Sequence, residues 1–256
     1  MNRERVGVHI PADYQPDDRA LAGKTILVTG ASEGIGRAAA LQYAQHGATV
    51  VLLARSVDKL EAVYDAIEDA GGAQPAAIPF DLKTDTEEAY VELANVLASQ
   101  LGRLDGLLLN ASILGERRPL EQLSWGAWRE VMQVNVNSQF LMLRALMPLL
   151  RESASASVIL TTSGVGREGR AYWGAYSVSK FATEAMMQIL ASETEKTSHV
   201  RVNCINPGAT NTAMRRAAYP AEQPESNPEP EAIMRPYLYL MDEASAGVTG
   251  FSFDAQ

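Results

Sequence analysis

The sequence has little that would cross-link it, bind it to a metal or draw it to a polyanion. It contains one cysteine, Cys204, so no disulfide can form within the chain. That thiol lies in "VRVNCIN", which reads as a buried strand where a lone cysteine is inert packing. The three histidines, His9, His46 and His199, are scattered without ligand spacing, so no metal site is expected. No apolar run reaches the roughly 18 residues of a bilayer span, and "MNRERVGVHIPADYQPDD" lacks the apolar stretch of a secretory signal. The expected location is cytoplasmic. Lys and Arg number 22 against 31 Asp and Glu, a formal charge of −9. This balance argues against nucleic acid or an anionic membrane as partner, since both need a basic footprint. A small phosphate-bearing ligand needs only a local cation and stays open. No histidine is placed for a serine-hydrolase triad.

What is present is a core. Of 256 residues, 46% are hydrophobic, enough for one large α/β domain or two small ones. Short apolar runs alternate with longer helical patterns. Strands are expected at 25–29, 49–54, 76–80, 106–109, 157–161, 201–205 and 250–253. Helices are expected at 34–46, 56–70, 84–100, 124–150 and 176–194. The strands are continuous apolar runs, as strands covered on both faces are. Alternation of this kind implies βαβ units, right-handed crossovers and a parallel sheet. Residues 1–22 are polar and aperiodic and read as an arm over the surface. The segment 220–231, "PAEQPESNPEPE", holds four prolines and four glutamates and reads as an exposed, partly disordered loop.

"VTGASEGIGR" (28–37) follows the first core strand and opens the first helix. Its glycines, Gly30, Gly34 and Gly36, permit a tight turn and let a pyrophosphate approach the backbone. The helix N-terminus adds free N–H groups and a positive dipole end. At the first strand–helix junction this is a dinucleotide cradle. The fold class expected is therefore α/β: a single doubly wound Rossmann domain over residues 23–256, with a mostly parallel sheet of about seven strands. Arg55 and Ser56 end the second of these strands, where an acid would bind a ribose 2′-hydroxyl and an arginine accommodates a 2′-phosphate. NADP(H) is preferred over NAD(H) on that ground. Glu33 puts negative charge in the same neighbourhood, which Arg37 could offset.

In "GAYSVSKFATEAM" (174–186), Tyr176 and Lys180 share a helical face. A fixed cation favours a phenolate, so Lys180 is expected to lower the Tyr176 pKa. A general acid or base works best with a pKa near the working pH. Tyr176 could then exchange a proton with a substrate oxygen while hydride moves at carbon.

These stretches resemble the short-chain dehydrogenases/reductases over roughly residues 23–254. "TGASEGIG" is similar to that family's TGxxxGxG loop, and "YSVSK" to its YxxxK. Ser163 stands where the family's catalytic serine does, and Asn135 in "VMQVNV" resembles its helix asparagine. "NPGATNT" (206–212) resembles its PGxxxT segment, and Asp81–Leu82 its adenine-contacting pair. "LNAS" (109–112) departs from its "NNAG", keeping Asn110 and Ala111 with Ser112 in place of glycine. "MQVNVN", "GRAYWGAYSVSKFAT" and "FDAQ" are most like the bacterial YciK-type group.

The resemblance implies catalytic roles for Asn135, Ser163, Tyr176 and Lys180. Tyr176 would be the proton donor in reduction, with Ser163 hydrogen-bonding the substrate oxygen. Lys180 would tune the phenol and hold the nicotinamide ribose, and Asn135 would support a proton-relaying water chain. The implied NADP(H) contacts are Gly30, Ser32, Glu33, Gly34, Ile35, Gly36, Arg55, Asp81, Leu82, Asn110, Ala111, Tyr176, Lys180, Pro207, Gly208, Thr210 and Thr212. Thr212 would meet the nicotinamide carboxamide. The substrate would be a small carbonyl compound or secondary alcohol, walled by Ile113, Leu114, Val165, Tyr172, Trp173 and Met214. Residues 213–235 would form a short acidic lid over an open, permissive pocket. A homo-oligomer, dimer or tetramer, is expected from the family and from Phe140, Met142, Leu143, Met186, Met187 and Ile189 on the long helices. The competing reading is a non-catalytic NADP(H)-binding sensor or scaffold, which would have no use for Ser163.

Overall fold

Strands whose residues are apolar at every position need cover on both faces, and this chain supplies it. The computed structural model describes residues 5–84 and 86–256. Its strands are β1 (Val6–Val8), β2 (Thr25–Thr29), β3 (Thr49–Ala54), β4 (Ala76–Pro79), β5 (Gly106–Leu109), β6 (Ala156–Thr161), β7 (Val200–Asn206) and β8 (Ser252–Asp254). They form one sheet in the order β1-β8-β7-β6-β5-β2-β3-β4, with every pairing parallel. The helices are α1 (Gly34–Gln45), α2 (Val57–Asp69), α3 (Glu87–Leu101), α4 (Trp125–Met132), α5 (Ser138–Arg151), α6 (Gly174–Thr194), α7 (Ala213–Ala218) and α8 (Met234–Met241).

Alternate residues of one strand feed two cores. Ile26 and Val28 of β2 pack on one face with Tyr43 of α1, Ile67 of α2 and Tyr237 of α8. Leu27 packs on the other with Leu97 of α3, Leu146 of α5 and Met187 of α6. The chain runs from β2 outward to β3 and β4, then returns to β5 on the other side of β2. That reversal opens a crevice at the carboxyl ends of β2 and β5, the usual ligand position in such sheets.

Three expectations need correction. The sheet has eight strands where about seven are expected, because the arm read as lying over the surface adds one. Val6 pairs with Ser252 and Val8 with Phe253, while Arg235 donates to the carbonyls of Pro11, Ala12 and Tyr14. Three residues with a central glycine are too short to show a period. Second, residues 124–150 are not one regular helix: a π-helical turn, Gln133–Asn137, separates α4 from α5. Third, the Pro/Glu segment is held rather than loose. Arg215 forks onto Glu222 with two 2.6 Å bonds, Asn211 binds Glu229 at 2.6 Å, and Asn227 and Pro230 are buried. Its acids find cationic and amide partners that composition alone does not reveal. Among the described residues no helix is long and apolar enough to cross a membrane.

Candidate active site

At the head of β2, Gly30 takes a φ of 68° and its N–H donates to Leu53 O at 2.8 Å, turning the chain sharply into α1. Gly36 lies beneath this turn, where a Cβ would come within 2.1 Å of Gly30 O. Only glycine lets α1 seat so close. Asn110 and Thr29 bind the neighbouring strand ends together. The Asn110 and Ala111 N–H groups donate to Thr29 Oγ1 at 3.0 and 3.1 Å, and Thr161 Oγ1 donates to Asn110 Oδ1 at 3.3 Å.

The crevice is a cleft of about 830 Å³. Gly30, Ser32, Glu33, Gly34, Ile35, Arg55, Asp81, Leu82, Asn110, Ala111, Ser163, Tyr176, Pro207, Gly208, Thr210 and Thr212 all line it. Gly36, Asn135 and Lys180 lie just beneath its wall. At one end Arg55 is exposed beside Ser56 and Lys59. Glu33 is not offset by Arg37, as expected, but by Lys59 at 2.5 Å; Arg37 reaches Glu231 at 3.8 Å instead. Lys59, on the first turn of α2, carried no motif that could have marked it.

At the other end α6 presents Tyr176 and Lys180 on one face, with Lys180 Nζ 5.5 Å from the phenol ring centroid. Lys180 is 1% exposed and donates to Thr161 O at 2.8 Å. Burial brings its ammonium down to about 8. Burial pushes the Tyr176 phenol up to about 12, against a smaller effect of the Ser163 hydroxyl, just beyond β6, which favours its ionisation. The expected lowering by Lys180 is therefore not what the chain's own groups produce. Desolvation of a phenolate dominates, and the ammonium is turned to a backbone carbonyl beneath the ring. Ser177 Oγ donates to Val165 O at 2.5 Å, stitching α6 to the turn that follows Ser163.

Asn135 sits in the π-helical turn, a distortion frequent at functional sites, and is fully buried. Its Oδ1 accepts from Ile113 N at 2.8 Å. Its Nδ2 donates to Ile113 O at 2.9 Å and to Ser179 Oγ at 3.0 Å. These bonds fix the segment after β5 against the π-helical turn and α6. Of the expected substrate walls, Ile113, Leu114, Trp173 and Met214 line the cleft. Val165 is core, and Tyr172 is 57% exposed. A left-handed Tyr172, φ 71°, turns the chain so that Trp173 takes the inward place. Sequence reading missed Arg117 and Tyr219. The Arg117 guanidinium lies 4.6 Å from the Trp173 ring centroid and 5.3 Å from that of Tyr219, and it donates to Ala218 O of α7. No local pattern joins residues so far apart in the chain.

The family model for short chain dehydrogenases matches residues 24–223. The chain belongs to the short-chain dehydrogenase/reductase family. Like other members it is an oxidoreductase. It is 50% identical over 243 residues to the uncharacterized oxidoreductase YciK of Escherichia coli K12, covering 95% of this chain and 96% of that protein. A candidate short chain dehydrogenase from Pseudomonas syringae superposes with a TM-score of 0.94 at 55% identity, over 95% of this chain and 99% of that one. Another, from Escherichia coli CFT073 and complexed with NADPH, superposes with a TM-score of 0.91 at 50% identity, over 94% of this chain and all of the other. The likeness to YciK-type family members thus extends over nearly the whole chain.

Proposed function

We propose that this oxidoreductase interconverts a small carbonyl compound and a secondary alcohol using NADP(H). The observation that carries the reading is that Ser163 and Tyr176 line one wall of the cleft, with the Lys180 ammonium buried 5.5 Å from the phenol ring centroid. The residues present fit the cofactor. Gly36 lets α1 seat directly under the glycine turn, and Arg55 and Ser56 offer a cationic, hydroxylated end for a 2′-phosphate. The NADPH complex of the CFT073 relative supports the same choice. Gly30, Ser32, Glu33, Gly34 and Ile35 would hold the pyrophosphate side, Asp81 and Leu82 the adenine, and Asn110, Ala111, Pro207, Gly208, Thr210 and Thr212 the remainder. Bound there, NADPH supplies the hydride that adds to the carbonyl carbon.

The chain's own groups complete the reaction. Tyr176 Oη gives its proton to the carbonyl oxygen as that oxygen gains charge. At neutral pH the phenol carries the proton that it gives. The Ser163 hydroxyl donates to the same oxygen, an electrostatic contribution of the oxyanion-hole kind. Lys180 places positive charge under the phenolate left behind. Asn135 holds the Ile113 segment that forms the substrate wall. Trp173, Met214 and Tyr219 give the substrate a largely apolar, aromatic surround.

The test is Tyr176→Phe with NADPH and a carbonyl panel. Turnover should fall by about two to four orders of magnitude, the usual contribution of a positioned acid, with NADPH affinity kept. A variant that turns over normally would sink the assignment. A wild-type protein that binds NADPH but reduces no carbonyl would favour the non-catalytic binding module. We also propose a homo-oligomer. Met142, Leu143 and Met187 are core, but Phe140 and Ile189 are 52% and 58% exposed on α5 and α6. Light scattering at micromolar concentration should show a dimer or tetramer; monomer alone would remove the proposal.

A further inference from the structure

The segment closing the sheet at β8 ends in "FDAQ", and Gln256 folds back onto the cleft. Its Nε2 donates to Pro207 O at 2.6 Å and to Ala209 O at 3.1 Å, and lies 3.3 Å from Thr210 Oγ1. A primary amide has two N–H groups, so one is shared among three oxygens, and three acceptors around one atom identify it as the nitrogen. Thr210 Oγ1 itself donates to Pro207 O at 3.2 Å. The turn 207–210 lines the cleft and belongs to no strand or helix. Much of its shape therefore rests on these bonds.

A second line of contacts runs from the same segment. Gly208 N donates to Asn206 Oδ1 at 3.2 Å, and Asn206 Nδ2 donates to Asp254 Oδ1 at 2.9 Å. Asp254 Oδ1 also accepts from Arg167 Nη1 at 2.6 Å. Arg167 closes the turn Gly164–Gly166 that follows Ser163, and its Nη2 donates to Ser252 Oγ at 2.7 Å. The last strand and its extension thus brace two loops that line the cleft: the serine turn through Arg167 and the 207–210 turn through Asn206 and Gln256.

We infer that Gln256, backed by Asp254, is a positioning residue that preorganises the 207–210 turn for the nicotinamide half of the dinucleotide. This rests on the reading of the cleft as an NADP(H) site. Gln256 touches neither the phenol nor the Arg55 end, so its loss should separate the two halves of the ligand.

The experiment compares wild type with Gln256→Met, which keeps side-chain length and removes the donor. Two probes are titrated calorimetrically: NADP⁺, and adenosine 2′,5′-bisphosphate, which carries the phosphate-marked adenosine but no nicotinamide. Because Gln256 is exposed, the melting temperature should stay close to wild type. NADP⁺ should bind about 5- to 20-fold more weakly, the scale of one or two net hydrogen bonds, with the bisphosphate within about twofold of wild type. Hydrogen exchange at Gly208 and Ala209 should quicken in the nucleotide-free variant, while β2 amides keep their protection. Unchanged NADP⁺ affinity, or equal weakening of both probes, would overturn the inference. Wild type binding neither probe would instead overturn the NADP(H) reading beneath it.

Discussion

Replacing Lys180 with methionine should make the nucleotide-free protein more stable at pH 7. Lys180 is 1% exposed, and burial takes its ammonium from 10.5 down to about 8. At about 1.4 kcal/mol per pKa unit, keeping that charge in the folded chain costs roughly 3 kcal/mol. Methionine fills a similar volume without charge. It also leaves Thr161 O without its 2.8 Å donor, a loss of about 1–2 kcal/mol. The net expectation is a gain of about 1–2 kcal/mol at pH 7. The pH dependence has a definite sign. A base whose folded pKa lies below its unfolded value binds its proton more tightly in the unfolded chain. Between about 8 and 10.5, therefore, the wild type sheds the cost and becomes more stable as pH rises. By pH 9.5 it should recover about 2 kcal/mol, and the gap to the variant should close or reverse. Tyr176 is common to both proteins and cancels in the difference; Cys204 feels the Lys180 charge, but burial holds its folded thiol protonated well above the usual thiol range. Urea unfolding followed by circular dichroism at pH 7 and pH 9.5 measures the gap, with equal m-values as the control. A less stable variant at pH 7, or a gap unchanged at pH 9.5, would refute the reasoning. A stabilised but inactive Lys180→Met would mark the buried ammonium as retained for function at a cost in stability.

Gly36→Ala puts a Cβ 2.1 Å from a backbone carbonyl that cannot swing aside. It should lose at least about 1–3 kcal/mol of stability together with dinucleotide binding, and an unchanged thermal melt would contradict the packing described. Asn135→Ala strips both backbone groups of Ile113 and the Ser179 hydroxyl of buried partners. A loss of about 2–4 kcal/mol is expected, and chemical unfolding checks it. Arg55→Asp should weaken NADPH by about 10- to 100-fold while NADH binding improves. A fluorescence titration showing unchanged NADPH affinity would remove Arg55 as the phosphate partner.

Much of the fold was legible because its signals are local. β2, β3 and β5 fall where continuous apolar runs predict them, since a strand covered on both faces must be apolar at every position. The glycine turn was equally visible, because a close backbone approach admits one residue type. The Tyr176–Lys180 pair could be placed on one face because helical period alone brings positions four apart together. What escaped were features set by partners distant in the chain. β1 exists only because β8 offers it an edge. Lys59 neutralises Glu33 and Arg117 sits against Trp173 and Tyr219, and in each case a crossover brings the partners together.

The same division runs through the chemistry. Residue identity and spacing, read along the chain, dictated a dinucleotide cradle followed by a serine, a phenol and an ammonium, because backbone period and glycine stereochemistry are properties of short stretches. The protonation of that phenol and ammonium was a matter for the folded molecule. Both groups stand in a low-dielectric wall, where desolvation outweighs their attraction and drives the phenol up and the ammonium down. Burial is the sum of many remote contacts, so no short stretch of sequence carries it.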